Sequence, residues 1–122
     1  MLFLALVLAC NNSDSESGKK ITGEWDAHST MDGQPFNLLV RFKDNGVVDV
    51  MGNGKLIVSQ DYRVTGDSII FSGDPNCIPT SQGVYRYTFH KDSVRFDLLA
   101  DTCSMRIQST DQVSLARVTS NK

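Results

Sequence analysis

Tyr85-Arg86-Tyr87-Thr88-Phe89-His90-Lys91-Asp92-Ser93-Val94-Arg95-Phe96-Asp97-Leu98 decides the fold. Large apolar and polar side chains alternate through it twice, which is the period of a half-buried strand. Lys91-Asp92 interrupts the alternation at the point where a two-residue turn fits. That turn sets Phe89 opposite Val94, Tyr87 opposite Phe96 and Tyr85 opposite Leu98, all on one face. Arg86 then meets Asp97 on the other face, an opposite-charge cross-strand pair. The register is informative because a slip of one residue sends every side chain to the wrong side of the sheet.

Two more hairpins give the same apolar-in, polar-out answer. Asp44-Asn45-Gly46 suits a three-residue loop with Gly in the left-handed position. It places Val40 against Val50 and Phe42 against Val48, with Arg41 facing Asp49 outside. A Gly66-Asp67 turn places Val64 against Ile69 and Tyr62 against Phe71. The alternating runs span 21–31, 36–43, 46–51, 55–64, 67–72, 83–90, 93–100 and 111–118, with 101–109 open to a helical turn. Sequential hairpins without a long crossover predict an all-β, eight-stranded, antiparallel up-and-down barrel. The tight turns 44–46, 66–67 and 91–92 gather at one end. The connections 32–35, 52–54, 73–82 and 101–110 make the other end the open one.

With 122 residues the chain holds one domain. Twelve Lys plus Arg against fourteen Asp plus Glu leave no basic excess for a nucleic-acid partner. No apolar run is long enough for a membrane-spanning helix. Residues 1–9 are apolar throughout and suit the core of a secretory signal. Val7-Leu8-Ala9-Cys10 resembles the lipobox of bacterial lipoproteins, although no Lys or Arg precedes the apolar run. The resemblance implies lipidation at Cys10 and a place in the bacterial cell envelope with the lipid as membrane anchor; the polar run after the cysteine reads as a tether over 10–20, and the strands assign the barrel to 21–119. In that oxidising compartment Cys77 and Cys103 are expected to form a disulfide. No Cys or His spacing suggests a metal site.

Gly23-Glu24-Trp25 resembles the Gly-x-Trp signature of lipocalins and related calycins. The run Cys77…Gly83-Val84-Tyr85…Cys103-Ser104-Met105-Arg106 is similar to small bacterial lipocalin-like lipoproteins. In the family the Trp plugs the closed end and stacks with an Arg near the end of the last strand, a role that falls here to Arg117. The first loop is much shorter than a lipocalin lid, and no helix is expected after the barrel.

No residue pattern supports catalysis, and no cofactor is implied. His28 and His90 are read as solvated, without a nucleophile or metal partner. Asp44-Asn45-Gly46 and Asp74-Pro75-Asn76 are turn chemistry rather than calcium loops. The candidate site is the barrel mouth, with Met31, Phe36, Leu38, Val50, Val58, Phe71, Tyr85, Leu98 and Val113 as inward positions. Nine aromatic residues (Trp25, Phe36, Phe42, Tyr62, Phe71, Tyr85, Tyr87, Phe89 and Phe96) are expected inside, which narrows any cavity. A small hydrophobic or amphipathic ligand is one expectation. The alternative is a protein-binding module, such as an envelope inhibitor of a lysozyme or protease. If Cys10 carries the lipid, Cys10→Ser leaves a soluble product or an uncleaved precursor. Detergent phase partitioning of the two proteins checks this, with wild type in the detergent phase.

Overall fold

The computed structural model describes residues 20–31 and 33–118; for 28–31 it describes the backbone alone. Eight antiparallel strands close into an up-and-down barrel in chain order. They are β1 (Gly23–Met31), β2 (Gln34–Phe42), β3 (Val47–Gly52), β4 (Lys55–Thr65), β5 (Ser68–Ser72), β6 (Gln82–His90), β7 (Ser93–Ala100) and β8 (Ser114–Arg117). A short helix, α1 (Ser104–Thr110), occupies the stretch whose reading was open and shortens the last strand from the expected 111–118. Cys10 and the whole tether up to residue 19 lie outside the described residues.

All three hairpin registers are as the alternation requires: Phe89 with Val94, Tyr87 with Phe96 and Tyr85 with Leu98; Val40 with Val50 and Phe42 with Val48; Val64 with Ile69 and Tyr62 with Phe71. The apolar pattern and the turns set them, not the outer-face charges, which regroup. Arg86 faces Asp97 across the ladder, yet Asp97 binds Arg95 at 3.0 Å and Arg86 reaches Asp67 at 3.7 Å. Arg41 likewise turns to Glu24, and Asp49 pairs with Lys43, each at 2.9 Å. Long exposed side chains choose among several neighbours at little cost.

The core has two aromatic layers. Trp25 stacks on Phe89, and Tyr87 meets Phe89 edge-on, at the closed end. Above them Phe42, Phe71 and Phe96 pack against one another, with Tyr62 edge-on to Phe42. The tyrosine hydroxyls leave this apolar layer to tie turns together: Tyr62 donates to Lys43 O and Tyr87 to Gly66 O.

Arg117 closes the bottom. Its guanidinium carbon lies 4.2 Å from the Trp25 ring centroid. Its two terminal nitrogens donate to Thr22 O at 3.2 Å and Lys20 O at 2.6 Å, and the Trp25 indole N–H donates to Ile21 O at 2.8 Å. Gly23 is required here for two reasons. Its φ is +122°, and a Cβ at that position would lie 2.9 Å from Arg117 Nη1. The Gly of Gly-x-Trp thus makes room for the cation that covers the Trp.

Arg117→Ala is expected to cost about 1–3 kcal/mol through the lost stack and the lost aliphatic packing. Gly23→Ala, which displaces the same guanidinium, is expected to act in the same direction. Urea denaturation followed by Trp25 fluorescence checks both, with blue-shifted native emission in the wild type.

Candidate functional site: a cavity beneath the open end

A cavity of about 310 Å³ lies between the Phe42–Phe71–Phe96 layer and the open end. It leans against β2, β3 and β4, where Leu38, Val40, Val48, Val50 and Val58 are shorter than the aromatic residues across the barrel. Of the expected inward positions, Phe36, Leu38, Val50, Val58, Phe71 and Val113 line it. Aromatic bulk narrows the barrel as expected without filling it, because that bulk is concentrated on β5–β7 and toward the closed end.

Two positions differ from expectation. Leu98 does not line the cavity and is 36% exposed. A bulge beside it opposes Val84–Tyr85 to Leu98 and Ala100, leaving Leu99 unpaired. Moreover, β8 pairs with β7 only at Ser93–Arg95, so Leu98 stands above the seam with its N–H taken by the Asp111 carboxylate. Tyr85 is fully buried but does not face the cavity. It packs edge-on to Phe71, and its hydroxyl donates to Asp101 at 2.6 Å. The backbone of Met31 pairs with Gln34, and its side chain lies outside the described residues. His90 is exposed at its turn, as read from the sequence.

The rim is held by a polar clasp that the sequence did not announce. Arg106, on α1, grips Asp101 through two bonds of 2.8 Å, with side-chain exposures of 1% and 0%. Asp101 also accepts the Cys103 N–H at 2.9 Å, and Arg106 reaches Ser81 Oγ at 3.3 Å. Gly83 lies directly under the pair: a Cβ there would fall 2.4 Å from Asp101 Oδ2 and 2.6 Å from Arg106 Nε. Beside the clasp, Cys77 and Cys103 are joined by the expected disulfide, with Cα atoms 5.6 Å apart. It ties the β5–β6 loop to the start of α1.

Polar groups also enter the cavity wall. Gln60 occupies an inward position between Val58 and Tyr62, and Asp74, Asn76, Ser109 and Thr110 belong to the upper wall. Gln60 was legible by parity alone, as a polar residue on the inward side of β4. Among the described residues no cluster of His, Cys, Asp and Glu could hold a metal. The arrangement can enclose a small apolar molecule. No protein-family model matches the chain, and neither does any curated protein or solved structure.

Burial acts against ionisation of Asp101, but the hydrogen bonds from Arg106, Tyr85 and the Cys103 amide outweigh it and hold its pKa down at about 2, against an ordinary 3.8. Burial, and then the Asp101 carboxylate, raise Tyr85 far above the usual phenol value. Because Asp101 is depressed in the folded state, its stabilisation is complete above roughly pH 5 and is lost as pH falls toward 2. The size is on the order of 2 kcal/mol. Tyr85→Phe removes one of the bonds that depress the pKa, so it should be less stable at pH 7 and lose less stability on acidification. Urea midpoints between pH 7 and pH 2 check this, and equal acid sensitivity in both proteins counts against the clasp.

Proposed function

We propose that this chain is a lipocalin-like binding protein of the bacterial envelope, anchored through a lipid on Cys10, that shelters one small apolar molecule in the mouth of its barrel. The cavity carries the reading. An eight-stranded barrel is either filled by side chains or holds one small ligand. A void of about 310 Å³ with mostly apolar walls falls at the small end of known ligand sites. The Cys77–Cys103 bridge supports a compartment outside the reducing cytoplasm, and the Trp25–Arg117 stack supports the calycin resemblance.

A second reading, a module that docks on a protein such as a lysozyme or protease, is favoured by one observation. Leu56, Ile57, Ile78 and Met105 are exposed at the open end. Ile57 and Met105 border the cavity, and Met105 and Ile78 share the recess beside the disulfide. Exposed apolar surface of this kind marks contact sites.

Uptake of N-phenyl-1-naphthylamine, a neutral fluorescent probe, separates the two. Wild type is expected to bind it, and Val58→Trp, which fills the void from its wall, is expected to reduce binding at least about ten-fold while keeping the fold. Leu98→Trp, outside the cavity, is expected to bind like wild type. Equal binding by Val58→Trp places the probe on the outer apolar rim and favours the docking reading.

A further inference from the structure

We infer that the cavity selects apolar chains ending in a hydrogen-bond donor, alcohols or amines, and rejects the matching carboxylates. This rests on the cavity being a ligand site. Gln60, in the β4 wall, has its amide oxygen buried with no hydrogen-bond partner. A buried acceptor without a donor is costly, and a guest whose hydroxyl or amine N–H draws the Gln60 amide round to meet it removes that cost. A carboxylate supplies only acceptors and leaves it in place.

Charge points the same way. Among the described residues Asp74 is the only charged one in the cavity wall, and it is 8% exposed. One of its carboxylate oxygens takes the Asn76 N–H at 2.8 Å. No Lys, Arg or His among the described residues lines the cavity. Arg106 is within electrostatic reach of Asp74, but its guanidinium is already held by Asp101 through two bonds. Arg106 also has a buried, unpartnered Nη1, yet it is not part of the wall. The three groups carry two negative charges against one positive. An entering carboxylate therefore loses its hydration, meets a like charge and finds no cation.

Calorimetric titration with 1-octanol, octylamine, 1-methoxyoctane and octanoate tests the inference. These share one apolar chain and differ at the head. Octanol and octylamine are expected to bind about ten-fold or more tightly than octanoate, and octanol about five-fold more tightly than 1-methoxyoctane, which has no donor. Gln60→Leu should erase the advantage of octanol over the ether without weakening the ether. Asp74→Asn should narrow the gap between octanol and octanoate. Octanoate binding as tightly as octanol, or an octanol advantage that survives Gln60→Leu, overturns the inference while leaving the cavity as a ligand site. Failure of all four together with N-phenyl-1-naphthylamine ends both.

Discussion

The barrel closes through two residue pairs, Trp25 with Arg117 and Asp26 with Ala116, and everything above them depends on that narrow seam. Without β8, the edges of β1 and β7 face water with unpaired backbone groups. Hydrogen bonding along so short a ladder supplies little. The seam is held instead by Arg117, which covers the Trp25 ring and binds two carbonyls of the segment leading into β1. One side chain thereby joins the last strand, the first strand and the lower aromatic layer.

The two ends follow different physics. At the closed end, packed rings fill the interior, and Arg117 fastens them to the segment entering β1. At the open end a cavity lies inside, so apolar filling does not hold the loops there. A disulfide and a buried ion pair take that task. A buried pair is a poor source of net stability, but losing one partner strands the other charge in a low-dielectric site. The clasp therefore keeps α1 and β7 in one arrangement, and the cavity below inherits its shape from that arrangement.

The strands, their order and three registers were legible because large apolar residues recur at every second position on both sides of Lys91-Asp92, Gly66-Asp67 and Asp44-Asn45-Gly46. Trp25, Arg117 and the cysteine pair were legible through motif and compartment. The clasp was not. Asp101, Arg106 and Tyr85 come from three elements, and Tyr85 in strand alternation looks like any other inward aromatic. Leu98 was misplaced although it keeps its register opposite Tyr85: β8 covers β7 only at Ser93–Arg95, and parity within one hairpin does not show where the neighbouring strand ends. The outer charge pairs failed for another reason: register fixes which Cβ atoms are opposite, whereas a solvated Arg with several acceptors in reach is free to choose.

Val118 donates its N–H to Glu24 O at 2.9 Å, so the polypeptide enters and leaves the barrel side by side. Every other pair of neighbouring strands is also adjacent in sequence. The fold is thus a ring of hairpins that happens to be cut between β8 and β1. Joining Lys20 to Val118 and cutting instead at the Gly66-Asp67 turn keeps every strand beside the same neighbours. What changes is which contact closes the longest loop, now Arg117 with Lys20 across 97 residues. The entropy of that closure falls on whichever pair is joined last. Permuting the chain would move the slow step of folding around the ring without redrawing the native structure.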